Sequence, residues 1–365
     1  MLAYVINPGS TSTKLALAEI ERGDNPALPS LLRLKLDKTE VMHSALLSGP
    51  LELGDLQADL MTAATDWPKP DAVVAACGLI GNLQAGAYRV TPELAEWLLT
   101  HPHGEYTSNV GAALALHLAE SRGVPAYVVD PPDVDELRPE ARVSGLAGVE
   151  RLSRLHTLNA RLVARRAAHE QGLRFQDARV VVAHLGGSIS VSAFEGAKII
   201  DTTGARLDEG PFTPSRAGTL PIRALLDVAY SRPRSDAEKL LLSGAGFLGL
   251  TGTADLRELE RREKTESRVK LAADAFAYQV AKNIGAYSAA LSARPHAVAI
   301  TGGIARWESV VNRIERQIGW IAPLTVLPGD LELEALAEGM GRVLLGLETA
   351  QDWTPPGAAS AADSV

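Results

Sequence analysis

The residues with chemistry to offer gather in short polar turns at the ends of apolar runs. In YVINPGSTSTKLAL (Tyr4 to Leu17), Asn7-Pro8-Gly9 is followed by four hydroxyl residues, Ser10 to Thr13, and then by Lys14. Gly9 supplies a turn position open to positive φ and lets the backbone approach a ligand. The hydroxyls of Ser10 and Ser12, nearby N–H groups and the point charge of Lys14 are the kind of set that phosphate oxygens attract. No second glycine stands before Lys14 and no helix follows, so this is not a Walker loop. The pattern predicts strand, phosphate-gripping turn, strand. Taken alone, a polar β-turn without a ligand explains it equally well. The same grammar returns in RVVVAHLGGSISVSAF (Arg179 to Phe194), where His184 precedes the turn Gly186-Gly187-Ser188. A third glycine turn, Thr301-Gly302-Gly303, ends the apolar run Ala297 to Ile300. Turns at the C-terminal ends of parallel strands are where open α/β sheets bind ligands. Three of them in this order suit a nucleotide polyphosphate, although a purely structural turn stays open for Gly302-Gly303.

The chain that must position these turns has 365 residues, enough for two domains. Its 46% hydrophobic and 22% charged content is that of a soluble globular protein. A formal charge of −8 argues against nucleic acid or an anionic membrane surface as partner, so an anionic substrate needs local positive groups. Cys77 is the only cysteine, which excludes an intramolecular disulfide and a multi-cysteine metal site. The opening MLAYVINPG enters a strand without a basic leader, and no apolar run reaches membrane-spanning length, so a cytoplasmic protein is expected.

Further strands are predicted at Leu31 to Leu36, Asp71 to Cys77, Ala126 to Val129 and Lys198 to Asp201. Helices are predicted at Pro92 to Thr100, 109–122, about His156 to Gln171, Val269 to Leu291 and Glu332 to Leu347. Gly78 to Val90 reads as a loop, and the tail, rich in Pro, Ala and Ser, as disordered. One strand–turn–strand unit thus appears twice, half a chain apart. That signals internal duplication and two similar α/β domains.

With these turns in place, the sequence resembles the acetate and butyrate kinase family, and within it the butyrate kinases. The motifs that carry the resemblance are INPGSTSTK (6–14), VVDPPDVDELRP (128–139), VAHLGGSISV (182–191), DEGPFTPSRAGTLP (208–221), TGG (301–303) and LPGDLELEALAEG (327–339). They span nearly the whole chain in the family's order. The resemblance implies an α/β fold of two duplicated actin-like, sugar-kinase-type (ribonuclease H-like) domains with the nucleotide in the interdomain cleft. It implies an N-terminal domain over 1–155 plus 332–350, a C-terminal domain over 156–331 and a disordered tail over 351–365. It implies reversible phosphoryl transfer between ATP and a short fatty acid, giving an acyl phosphate and ADP, with Mg²⁺, in a homodimer or larger homo-oligomer. By motif, Asn7, Ser10, Ser12 and Lys14 face the transferred phosphate, and His184, Gly186 and Gly187 line the other phosphate loop, with Gly302 and Gly303 against the nucleoside. Asp130 and Glu332 help to hold Mg²⁺, Arg216 sits at the reacting phosphoryl group, and His156 stabilises its equatorial oxygens. Outside the motifs, blander roles explain several of these residues: a surface ion pair for Arg216, a packed helix N-terminus for His156, a turn former for Asp130.

Where the family carries an arginine after the third core strand, to meet the substrate carboxylate, this chain has Ala76. A second arginine of that loop is Gly81, a histidine is Tyr106, and the third glycine of the H-x-G-G-G loop is Ser188. The phosphate half of the site is therefore intact and the acid half altered, and Arg89 and Tyr106 become the candidates for holding the acid. Two rivals follow: a nucleotide-binding protein of this fold that does not turn over, and a kinase for a different small acid or for a hydroxyl, with Asp130 as its general base.

Overall fold

The computed structural model describes residues 1–23, 32–43, 50–81, 83–100, 107–204 and 209–356. Tyr106, the turn around 24–26, the break at 48–49 and the tail 357–365 lie outside the described residues. The chain divides into two units: Met1–Asp135 with Thr157–Leu162 and Leu331–Val365, and Glu136–His156 with Val163–Asp330.

The first unit is built on strands β1 (Leu2–Pro8), β2 (Ser12–Arg22), β3 (Leu32–Met42), β4 (Ala72–Ala75), β5 (Ala87–Arg89) and β6 (Ala126–Val129), ordered β3-β2-β1-β4-β6-β5. β1, β4 and β6 are parallel, while β2, β3 and β5 run against their neighbours. Alternation sends successive side chains to opposite faces, and both faces are covered. Tyr4, Ile6, Val73 and Val128 face helices Pro50–Ala63, Pro92–Thr100 and Gly111–Arg122. Ala3, Val5, Val74 and Val129 lie in the core with Leu333, Leu336 and Met340 of helix Glu332–Leu344. Small residues let that helix come close. A Cβ at Gly339 would stand 2.5 Å from Val129 Cγ1, and one at Gly341 2.5 Å from Ile20 Cγ2.

The second unit repeats the plan with β7 (Arg179–Leu185), β8 (Ile189–Glu195), β9 (Lys198–Thr202), β10 (Ala297–Gly302) and β11 (Leu324–Pro328), ordered β11-β10-β7-β8-β9. Read from the other edge, this order is that of β3-β2-β1-β4-β6, with β7–β8–β9 as the antiparallel meander and β10 and β11 as the parallel strands. The duplication expected from the two glycine turns is thus present in five strands of each sheet, with β5 an addition to the first. Helices Ser267–Ala289 and Glu308–Ile318 bury Phe276, Val280, Ile284, Val310 and Ile314 against the Val181, Val191, Val298 and Ile300 side of the sheet.

Three local expectations are corrected. Tyr88 is in a strand, not a loop, because β5 pairs antiparallel with β6. The segment 136–156 goes with the second unit, held there by hydrogen bonds to β9: Arg138 N–H to Ile200 O at 3.1 Å and Ile199 N–H to the Glu136 carboxylate Oε2 at 2.9 Å. The chain is also ordered past 350. Gln351 exchanges backbone hydrogen bonds with Ala87 and Arg89, and buried Trp353 donates Nε1–H to Ile80 O at 2.7 Å.

Candidate active site

In the first unit the turn after β1 is closed by Gly9 N–H to Ser12 O at 2.8 Å, and a Cβ on Gly9 would meet that oxygen at 2.8 Å. The register sets Asn7 opposite Lys14, and Lys14 opposite Glu40 of β3. Cross-strand partners share a face, and here it is the face covered by helix Glu332–Leu344. Asn7 Nδ2 donates to Glu332 Oε2 at 2.6 Å, and Ser12 Oγ donates to Glu40 Oε1. The structure therefore brings Asn7, Ser12, Lys14 and Glu332 together, with Ser10 and Lys14 exposed. Glu40 is an addition that only the strand register reveals.

Asp130, at the C-terminal end of β6, is a non-glycine residue at φ +45°. Its carboxylate is buried: Oδ1 accepts from Gly86 N–H at 2.8 Å and Oδ2 from Arg161 Nε at 3.1 Å. Arg89 does not join the group. It lies exposed on edge strand β5, opposite Tyr127 and with its guanidinium 5.9 Å from the centre of that ring, one residue back from the level at which β4 ends.

In the second unit, His156 precedes helix Thr157–Glu170 without capping it. Its ring instead reaches into the β7–β8 turn, with Nε2 2.7 Å from Ser188 Oγ and Nδ1 3.0 Å from Ser190 Oγ, and it stacks on His184 at 3.8 Å between centroids. Burial and the nearby charge of Arg216 push the imidazole of His156 down to about 4, and burial and His156 hold that of His184 well below its ordinary range. Both rings are therefore neutral at pH 7, each with one N–H and one lone pair. Gly187 and Gly303 have open space where a Cβ would stand. Gly302 does not: at φ +89° its Cβ would be 2.4 Å from Leu185 O, so close packing alone accounts for that glycine.

Arg151, which no motif marks, ties this constellation down. Its guanidinium donates to Ala141 O (2.6 Å), Asp201 Oδ1 (2.9 Å), Thr202 O (2.8 Å), Tyr287 OH (3.0 Å) and Glu209 Oε1 (2.7 Å). It thereby fastens the segment leading to His156, strand β9, and the start of the loop that carries Arg216.

Residues 146–322 match the model of the acetokinase family. The chain is 53% identical over 366 residues to a probable butyrate kinase of Deinococcus radiodurans, covering 98% of this chain and 95% of that protein. The chain belongs to the acetokinase family. It is accordingly a kinase that phosphorylates a carboxyl group. Among solved structures, Porphyromonas gingivalis acetate kinase superposes with a TM-score of 0.74 at 21% identity, over 93% of this chain and 98% of that one. A propionate kinase from Francisella tularensis gives 0.70 at 19% identity, over 92% and 98%. A ROK family protein from Streptococcus pneumoniae gives 0.51 at 11%, over 95% and 100%. These likenesses make the fold a two-domain α/β fold of the actin-like type.

The family resemblance implies Mg²⁺ with the nucleotide, so the acidic groups bear on the metal. Among the described residues, no group of three or more His, Cys, Asp or Glu is placed to hold one. Mg²⁺ needs no such cage, because one or two carboxylates, several waters and the substrate phosphates complete its octahedron. Asp130 and Glu332 are acceptor-only carboxylates fixed by other side chains, and that donor chemistry fits. No helix of the described residues is long and apolar enough to cross a membrane.

The histidine pair makes a pH prediction. Unfolded imidazoles take up protons near pH 6.5, whereas His156 in the fold resists protonation down to about 4. The unfolded chain therefore binds more protons across that window. Stability that is full above about pH 6.5 is lost as pH falls toward 4. Thermal melts followed by circular dichroism from pH 7.5 to 4.5 should show a falling Tm, with a shallower fall in the double variant His156→Gln/His184→Gln. An identical slope in that variant would assign the acid sensitivity to other groups.

Proposed function

We propose that the chain transfers the γ-phosphoryl group of ATP to butanoate, reversibly, giving butanoyl phosphate and ADP. The observation that carries this reading is the serine-held His156, stacked on His184 with the charge of Arg216 nearby. A carboxylate is a nucleophile at neutral pH and needs no base. Its oxygen attacks phosphorus in line, the bond from phosphorus to the β,γ-bridging oxygen breaks, and that electron pair leaves with ADP. The protein's part is positioning and positive charge on the equatorial oxygens. In this reading Arg216 binds those oxygens, and His156, whose two ring nitrogens both lie against serine hydroxyls, joins it by exchanging one serine contact for a phosphoryl oxygen. Asn7, Ser10, Ser12 and Lys14 orient the transferred phosphoryl group, and His184, Gly186 and Gly187 serve the other phosphates, with Gly303 beside the nucleoside. Asp130 and Glu332 would hold Mg²⁺, directly or through water, and the ion supplies charge neutralisation on the phosphates. The cytoplasm and a homo-oligomeric assembly follow the family resemblance.

The test is butanoate-dependent ADP release from Mg-ATP, with the acyl phosphate trapped as its hydroxamate, beside a titration of ATP binding. Hydroxamate formed in proportion to ADP is expected. ATP binding without ADP release for any carboxylate would favour the silent nucleotide-binding protein that Ala76 otherwise suggests.

A further inference from the structure

The turn between β1 and β2 has a carboxylate beside it that takes no part in the chemistry described above. Glu40, exposed on edge strand β3, stands opposite Lys14 in the β2–β3 register, and its Oε1 accepts the Ser12 hydroxyl proton. Side chains two apart on a strand point to the same face, so Ser12, Lys14 and Glu40 share one. More than that one contact fixes the placement. The end of β3 is fastened to the turn, with His43 N–H bonding Thr11 O at 3.1 Å and His43 Nε2 lying 3.2 Å from Thr13 Oγ1. Lys38, two residues before Glu40 on the same face, is already paired with Glu334 at 2.7 Å.

For a phosphoryl group at this turn, Glu40 is doubly unfavourable. A serine hydroxyl has a single proton to donate, and here a carboxylate takes it in a charge-assisted hydrogen bond. A phosphoryl oxygen gains that proton only by displacing Glu40. The carboxylate also sets a like charge beside the anion, opposite the lysine that attracts it. Such a group is an obstacle to ground-state binding, and ground-state binding is not what speeds the reaction. An interaction equally strong before and in the transition state lowers KM without raising kcat. A reversible kinase must also release the phosphoryl group on either of its carriers.

We propose that Glu40 is a resident competitor for the transferred phosphoryl group. By holding Ser12 and opposing Lys14, it weakens the grip of this turn on ATP and on the acyl phosphate, and leaves ADP, which lacks that group, unaffected. The inference rests on the reading of the β1–β2 turn as the phosphoryl site. Glu40 acts through Ser12 and Lys14, so it is a positioning residue. Its signature is a sign: removing it tightens binding, whereas removing a structural support weakens it.

The experiment is isothermal titration calorimetry with Mg²⁺ and either ADP or the β,γ-imido analogue of ATP, at low and at high salt. It compares wild type, Glu40→Gln, Glu40→Ala and Lys14→Ala, with the melting temperature of each recorded. Glutamine keeps an oxygen for Ser12 and removes the charge, and alanine removes both. Both Glu40 variants should bind the imido analogue about tenfold more tightly than wild type, and ADP within about twofold of it. The gain should shrink as salt rises, and KM for butanoyl phosphate should fall in parallel. Unchanged or weaker binding of the imido analogue in both variants overturns the proposal, and weaker binding makes Glu40 a support for Ser12 or a group for the cation. Equal tightening of both nucleotides overturns it as well, because that reports net charge alone. Lys14→Ala judges the turn separately. Weakened imido-analogue binding there, beside unmoved Glu40 variants, removes the competitor and leaves the phosphoryl site standing. Wild-type affinity in Lys14→Ala takes the turn away from the phosphates, and the proposal with it.

Discussion

Arg216→Ala is expected to lower kcat by about a hundredfold or more while KM for ATP moves little. The loop around Arg216 is closed by its own backbone: Thr213 N–H bonds Arg216 O at 3.0 Å, and Arg216 N–H bonds Thr213 Oγ1 at 3.1 Å. Truncation at Cβ therefore removes the guanidinium and leaves the loop standing. Charge placed where negative charge develops is worth most in the transition state, and removing one such donor commonly costs two to three orders of magnitude in rate. Arg216→Lys should rescue poorly, because a point charge does not reproduce a planar fork. Steady-state kinetics with ATP and butanoate, each varied separately, make the check. Unchanged kcat with weaker ATP binding would place Arg216 outside the chemistry.

That prediction rests on residues that were readable in the sequence, and the reason is local. An apolar run, a glycine turn and an alternating run report themselves within a dozen residues, so β1–β2 and β7–β8 were legible with their His184, Gly187 and Lys14. Glu40 was not, because it joins Ser12 and Lys14 only through the register of β2 with β3. Arg151 was not, because its partners lie on segments separated by 10 to 136 residues in sequence. Arg89 stands apart from the altered loop for the converse reason. It follows the altered loop closely in sequence, but β5 runs antiparallel to β6 and carries it back from the strand ends toward the sheet edge. Trp353 sits just before Pro355-Pro356-Gly357, and composition could not show that this one aromatic anchor and the backbone bonds of Gln351 keep the chain on the first unit past 350.

Asp130→Ala should show the largest loss of stability of any single change discussed. Its carboxylate and the guanidinium of Arg161 are both buried, at 4% and 8% side-chain exposure. Removing one member of a buried pair costs about 3–5 kcal/mol. Alanine adds strain at φ +45°, a conformation that asparagine tolerates better, so Asp130→Asn separates lost charge from lost backbone fit. The partner change Arg161→Met, which keeps an unbranched stem, should be destabilising alone and should recover much of the loss when combined with Asp130→Ala. Chemical denaturation of wild type, both single variants and the double variant closes the cycle. Activity then distinguishes the two roles of Asp130. If it helps to hold Mg²⁺, the double variant folds but stays inactive, and its affinity for Mn²⁺ in the presence of ADP, read by electron paramagnetic resonance, falls as well. A double variant with wild-type turnover and Mn²⁺ affinity would reduce Asp130 to the anchor of Arg161 and leave Glu332 as the acidic group to test next.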